Sequence, residues 1–301
     1  MTVENQFIFL DDARNISLII KREDLIHPFV SGNKFRKLKY NLLQAKAENK
    51  TTLLTFGGAF SNHIAAVAFA AKDNNFQSIG IIRGDEIGDK IVENPTLSFA
   101  QQNGMQFKFV TRGAYREKED THFIENLKKE FGDFYLIPEG GTNALAVKGC
   151  EEILTEADAH FDFICCAVGT GGTISGIINS ALPNQKVLCF PALKGDFLKN
   201  EIRSFAPNSN WEIIQDYHFG GYGKVNEVLI AFINGFFEKY QIPLDPIYTG
   251  KMVFGVMDLI GKDYFPENSK ILMVHTGGLQ GIEGMNIYLR NKKLPIININ
   301  V

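Results

Sequence analysis

The chain has 301 residues, with 31 Lys plus Arg against 34 Asp plus Glu and a formal net charge of −3. It is long enough for one large or two joined domains and has no global positive field for nucleic acid or anionic lipid. Its four cysteines (Cys150, Cys165, Cys166, Cys189) form no C-x-x-C pair and its six histidines have no metal-ligand spacing, so buried reduced thiols and no protein-bound metal are expected. The opening Met-Thr-Val-Glu-Asn-Gln lacks a basic and apolar leader pattern and no apolar run reaches membrane-span length, which predicts a soluble, cytoplasmic protein with a small-molecule partner, no nucleic acid and no membrane.

In chain order, 7–10 and 16–20 read as short strands joined by a turn over 11–15, and 21–30 reads as a loop. Phe35, Leu38, Leu42, Leu43 and Ala45 recur at helical spacing and predict a helix over 34–49. Strand-like runs at 52–56, 78–82, 106–110 and 134–137 then alternate with helical stretches at 61–72, 95–103 and 115–131. A second series has strands at 163–168, 186–190, 212–215 and 271–275, with helices at 143–157, 172–181, 224–239, 251–262 and 278–290. This alternation predicts two open α/β domains with largely parallel sheets, the seam falling in the Gly-rich Pro138-Glu139-Gly140-Gly141-Thr142-Asn143. Such sheets bind ligands at the carboxyl ends of their strands, where the glycine clusters of this chain fall.

Ser31-Gly32-Asn33-Lys34-Phe35-Arg36-Lys37-Leu38 places a lysine at a helix entrance. A basic run of this kind is usually a solvated helix face. The sharper reading makes Lys34 an amine for Schiff-base chemistry, with its basic neighbours supplying positive charge for a phosphate. Val168-Gly169-Thr170-Gly171-Gly172-Thr173 follows a strand and opens a helix, as a phosphate cradle does, although a tight turn has the same composition. Ile174 replaces the third glycine of a dinucleotide fingerprint and no Gly-Lys-Ser/Thr is present, which leaves a single phosphate monoester as the simplest ligand. In Gly57-Gly58-Ala59-Phe60-Ser61-Asn62-His63, Ser61 and Asn62 stand at a helix N-terminus, where capping alone would also explain them, and His63 reads as structural. Gly220-Gly221-Tyr222-Gly223, Tyr248-Thr249-Gly250-Lys251 and His275-Thr276-Gly277-Gly278 each set a hydroxyl beside glycine, a composition that singly marks only a turn.

G-N-K-x-R-K-L, G-G-x-x-S-N-H, G-T-G-G-T, Y-T-G-K and H-T-G-G, in this order along nearly the whole chain, resemble the pyridoxal-phosphate enzymes of the 1-aminocyclopropane-1-carboxylate deaminase and D-cysteine desulfhydrase family. The resemblance implies a tryptophan-synthase-β-like fold (fold type II of the pyridoxal 5'-phosphate enzymes). It further implies a larger domain from 1–47 and 143–301, a smaller inserted domain from 48–142, and a homodimer. Carried over by position, it makes Lys34 the Schiff-base lysine and the α-proton shuttle, with Ser61, Tyr222 and Tyr248 also acting on the substrate. Lys37, Gly169, Thr170, Gly171, Gly172 and Thr173 would hold the cofactor phosphate, and Asn62 the pyridoxal 3-oxygen. Tyr248, Thr249 and Thr276 would complete the cofactor site, Tyr248 against the ring and Thr249 near its nitrogen. Tyr-Thr here resembles the desulfhydrases and Tyr-Glu the deaminases, so the implied reaction is β-elimination from D-cysteine or a related β-substituted alanine. Ring-opening deamination of 1-aminocyclopropane-1-carboxylate is the alternative, and a non-catalytic cofactor or amino-acid-binding protein a more distant one. Phe60 departs from the family's glutamine, and Ile64-Ala65 from the arginine frequent after His63.

Overall fold

Residues 3–10, 12, 14–195 and 197–300 are described by a computed structural model; Met1 and Thr2 of the opening segment, and Asp11 and Ala13 of the predicted turn, lie outside them. The chain begins β1 (Asn5–Ile8), β2 (Ser17–Lys21), α1 (Asn33–Ala47), β3 (Thr52–Gly57), α2 (Asn62–Asp73), β4 (Gln77–Arg83) and α3 (Pro95–Gln102). It continues with β5 (Met105–Val110), α4 (Arg112–Tyr115), α5 (Thr121–Phe131), β6 (Tyr135–Ile137), α6 (Ala144–Cys150), β7 (Phe163–Val168) and α7 (Gly172–Ser180). Then follow β8 (Lys186–Pro191), α8 (Phe197–Phe205), β9 (Trp211–Ile213), α9 (Glu227–Tyr240), α10 (Thr249–Gly261), β10 (Lys270–Val274) and α11 (Gly281–Asn291).

Six strands form one sheet in the order β1-β2-β10-β7-β8-β9, parallel except for the edge pair β1–β2, and four form a wholly parallel sheet in the order β5-β4-β3-β6. The period-two alternation of the strands decides which face each side chain covers. In the large sheet Cys165, Leu188, Ile271 and Met273 pack with α9, α10 and α11. Their neighbours Cys166, Val187, Cys189 and Leu272 pack with α6, α7 and α8 on the other face. Both faces are therefore buried, which is why these strands read as continuous apolar runs. The four cysteines are free and buried. In the small sheet Leu53 and Ile82 meet α1, α2 and α3, while Leu54, Ile79 and Ile81 meet α5.

Three departures from the sequence reading have local causes. The helix expected over 115–131 is two, because the Asp120 carboxylate accepts the N–H groups of His122 (2.8 Å) and Phe123 (3.2 Å) and starts α5 afresh. The helix expected over 143–157 stops at Cys150 and gives way to short 3-10 turns, where Asp158 caps Thr155 and takes a buried ion pair with Lys21 at 2.7 Å. Helix α8 falls in a stretch where the sequence pattern marks no element, although Leu198 and Ile202, four residues apart, are its buried anchors.

Helix α1 joins the two sheets and is fixed mainly by polar contacts, since its buried face contains Arg36, Lys37 and Asn41 beside Leu38 and Ala45. Arg36 donates twice to the fully buried Glu23, at 2.8 and 2.9 Å, so it is an anchor and not a phosphate ligand as the basic run suggested. Lys39 and Tyr40 both bind Glu152, at 2.7 and 2.5 Å. Replacing Glu23 by Ala should lower the unfolding free energy by roughly 3–5 kcal/mol, as expected when one member of a buried pair is left uncompensated. Urea denaturation measures it; a loss below about 1 kcal/mol, the exposed-pair range, would show that α1 does not depend on this contact.

Candidate active site

The loops at the carboxyl ends of β3, β4, β7 and β10 converge with the start of α1 around a cavity of about 550 Å³. Gly32, with φ of +60° just before α1, lets the chain enter against the β10 loop: a Cβ there would lie 2.0 Å from the Thr276 carbonyl oxygen. The Asn33 N–H donates to that same carbonyl at 3.2 Å, which fixes where Lys34 leaves the helix.

Lys34 faces the cavity and is otherwise enclosed. Its Nζ donates to Asn33 Oδ1 at 3.0 Å, and Asn33 in turn donates to Thr173 Oγ1 at 2.9 Å. Burial, and then the ammonium of Lys37 one turn away, bring the Lys34 amine down to about 7 from 10.5. A substantial neutral fraction is thus present at physiological pH, as a nucleophilic amine requires. Lys37 is lowered by burial too; its Nζ donates to the Gly140 carbonyl (2.9 Å) and Thr142 Oγ1 (3.0 Å), so the seam loop holds it toward the cavity. Thr142 Oγ1 in turn lies 2.6 Å from Thr170 Oγ1.

Two helix N-termini meet here. Gly171, at φ +86°, precedes α7, and no side chain caps that end, which leaves first-turn N–H groups for an anion. Ser61 precedes α2 and accepts the Ile64 N–H only at a long 3.4 Å. Asn62 Oδ1 and His63 Nδ1 are buried without a protein partner, and both residues line the cavity. Buried polar atoms are ordinarily satisfied, so these await a polar ligand. Asn62 Nδ2 donates to the Gly278 carbonyl at 3.4 Å, which ties the amide to the loop after β10. His63 is held well below the ordinary histidine value by burial, then by Lys34 and Lys37, so it is neutral, and its Nε2 lies 2.8 Å from Thr55 Oγ1.

Of the residues singled out in the sequence, Lys34, Lys37, Ser61, Asn62, Gly169, Thr170, Gly171, Thr173, Tyr222, Tyr248 and Thr276 all line this cavity. Gly172 and Thr249 do not. Gly172 is the first residue of α7, where a Cβ would meet Thr142 and the Lys37 amine. Thr249 is fully buried behind Tyr248; its hydroxyl donates to Asp245 Oδ2 at 2.6 Å and accepts the Asp245 N–H at 2.9 Å. Asp245 was missed in the sequence. It also accepts the N–H groups of Ile247, Tyr248 and Thr249 at 2.8–2.9 Å, and so positions the turn that carries Tyr248. Its only sequence signal is an acidic residue four positions before Thr249, at a helix start. Lys251 also turns away from the cavity, donating to the carbonyls of His218 and Gly221 at 2.9 Å each and so anchoring the Tyr222 loop. Tyr222, 46% exposed at the cavity mouth, meets Tyr248 edge to face at 6.2 Å. Burial raises both phenols, so they stay protonated.

A family model described as pyridoxal-phosphate dependent enzyme matches residues 7–277. The putative 1-aminocyclopropane-1-carboxylate deaminase of Pyrococcus horikoshii is 32% identical over 285 residues, covering 87% of this chain and 84% of that protein. The mitochondrial bifunctional D-cysteine desulfhydrase/1-aminocyclopropane-1-carboxylate deaminase of Arabidopsis thaliana is 32% identical over 301 residues, covering 88% of this chain and 73% of the relative. A crystal structure of an ACC deaminase homologue superposes with a TM-score of 0.81 at 27% identity, covering 97% of this chain and 93% of that one. The chain belongs to the pyridoxal-phosphate-dependent enzyme family and has its fold type II. The residues present fit the cofactor: a partly neutral lysine, an uncapped helix N-terminus beside a second lysine, and an Asn62 side chain whose buried Oδ1 has no protein partner share one cavity.

In cofactor-free protein, the amine-labelling rate of Lys34, read by peptide mapping, should rise through a midpoint near pH 7 as the ammonium loses its proton. Lys37→Met should move that midpoint upward by removing the like charge, and a wild-type midpoint near that of surface lysines would contradict the assignment. Gly171→Val should weaken pyridoxal phosphate binding far more than pyridoxal binding, because a β-branched residue resists positive φ at the anion-facing turn. Equal losses would mean that the loop does not face phosphate.

Proposed function

We propose that this enzyme eliminates the β-substituent of a small amino acid, D-cysteine foremost, to give pyruvate, ammonia and sulfide. The observation that carries this reading is the cavity wall, where Glu139 is the single carboxylate among the described residues. Glu139 is engaged by the Tyr115 hydroxyl at 2.8 Å and by Lys118 at 3.4 Å, and Asp245 is occupied by three amides and Thr249. No carboxylic acid therefore stands free to hold a proton on a ring nitrogen. That wall suits expulsion of a good leaving group such as thiolate over opening of a cyclopropane, which leans harder on electron withdrawal.

When bound, pyridoxal phosphate supplies the carbonyl that exchanges amines and the conjugated ring that takes the electron pair of the broken Cα–H bond. Lys37 and the α7 N-terminus would hold its phosphate, and Asn62 would stand at its phenolic oxygen. Ser61 and the α2 N-terminus orient the substrate's α-carboxylate. Lys34 would take the α-proton at Nζ, which its lowered basicity leaves free to do so near neutral pH. Tyr248 covers the inner wall and Tyr222 the mouth, excluding water until the leaving group has gone.

The domain boundaries at 47/48 and 142/143 belong to the same proposal, supported by the strands of the small sheet, which run from Thr52 to Ile137. So do a homodimer, which rests on the family resemblance, and a cytoplasmic location, which rests on the composition of the opening segment; no helix among the described residues is long and apolar enough to cross a membrane. Ring opening of 1-aminocyclopropane-1-carboxylate is the second reading, favoured by the names of relatives such as the Pyrococcus protein. Holoenzyme should release pyruvate from D-cysteine or β-chloro-D-alanine with a kcat/KM at least about tenfold above that for 2-oxobutyrate from the cyclopropane substrate, roughly 1.4 kcal/mol of transition-state preference. The reverse order would establish the second reading.

A further inference from the structure

The basic features around the cavity exceed the anions so far assigned. The α7 N-terminus with Lys37 serves one phosphate and the α2 N-terminus with Ser61 serves one carboxylate. A second cavity of about 660 Å³ adjoins the first and shares Gly58, Ala59, Phe60, Arg83 and Glu139 with it. Its wall also carries Arg112, Arg116 and Lys118, so four cationic side chains face one carboxylate, in a chain whose net charge is −3. Two of the four are committed, Arg112 to Glu86 at 2.6 Å and Lys118 to Glu139 at 3.4 Å. Arg83 and Arg116 make no ion pair among the described residues.

Arg83 stands where the two cavities meet. It ends β4, and its guanidinium carbon lies 5.7 Å from the centre of the Tyr115 ring, a cation–π contact that fixes its direction. Its Nη2 is 3.6 Å from where a Cβ on Gly58 would stand, in the loop that leads to Ser61. A substrate with its α-carboxylate at Ser61 would thus extend its other end toward Arg83. The charge of Arg83 also reaches the Tyr222 phenol, on which it acts to lower the pKa against the raising effect of burial. The half-exposed Phe60 ring supplies an apolar side to the passage.

We propose that this vestibule is a subsite for a second anionic group on the substrate, held by Arg83 and drawn in by Arg116, so that beside cysteine itself the site takes amino acids whose β-substituent carries a carboxylate or sulfonate and favours them over their neutral analogues. The inference rests on the elimination reading for its chemistry: the Cβ–S bond breaks with its electron pair going to sulfur, sulfur takes a proton, and one water with loss of ammonia yields pyruvate beside the anionic thiol. An exposed guanidinium attracts such a group through a bidentate, charge-assisted contact.

S-carboxymethyl-D-cysteine and S-carbamoylmethyl-D-cysteine have nearly the same shape and differ in that one charge. Calorimetric binding to holoenzyme, and kcat/KM for pyruvate release, should favour the carboxymethyl compound roughly tenfold at low salt, the scale of a hydrogen bond to a charged group. The preference should shrink as salt rises, fall to about one in Arg83→Gln, and persist in part in Arg83→Lys, which keeps the charge. Equal affinity in wild type, or a preference that survives Arg83→Gln, overturns the subsite. If neither compound yields pyruvate while the binding preference and its loss in Arg83→Gln remain, the subsite stands and the elimination reading falls.

Discussion

Two lysine amines one helical turn apart, Lys37 buried and Lys34 enclosed except toward the cavity, are costly to one another when both are charged, and the site is built on that cost. Like charges at i and i+3 destabilise a helix, and burial adds a larger penalty for each charge. The two lysines meet the penalty differently. Lys37 keeps its donors occupied by the Gly140 carbonyl and the Thr142 hydroxyl. Lys34 makes a single contact, to Asn33, and gives up basicity instead. What is unfavourable for folding leaves an amine that is partly neutral where the chemistry needs it.

The scaffold around that amine is arranged to keep it in place. Arg36 on Glu23 and the pair Lys39 and Tyr40 on Glu152 clamp α1 on its far side, away from the cavity. On the near side, Asp245 gathers three amides and the Thr249 hydroxyl to set the Tyr248 turn, and Lys251 ties the Tyr222 loop to α10. None of these residues needs to touch a ligand. They hold the groups that would.

The fold was legible because its strands are buried on both faces, as at Ile164 to Val168, and its helices are long enough for periodicity to show, as at Leu38 and Ala45 of α1. The misread helix ends were decided by single side chains, Asp120 and Asp158, whose capping competes with helix propensity and is not visible as a pattern. Most of the cavity wall could be anticipated because lysine, hydroxyl and glycine cluster where strands end. Thr249 could not be placed, since its orientation depends on Asp245, a residue that looks unremarkable in Leu244-Asp245-Pro246. Arg36 and Lys37 are adjacent in the same basic run, yet one anchors to Glu23 and the other faces the cavity; only the position of the partner residues separates them.

The site as described assigns the covalent bond to the cofactor to Lys34 and to no other lysine. Borohydride reduction of the holoenzyme followed by peptide mapping tests it most directly. A single pyridoxyl-modified peptide containing Lys34 is expected, with no modification in a folded Lys34→Ala variant. Modification of Lys37 or Lys251 in the wild type would contradict it.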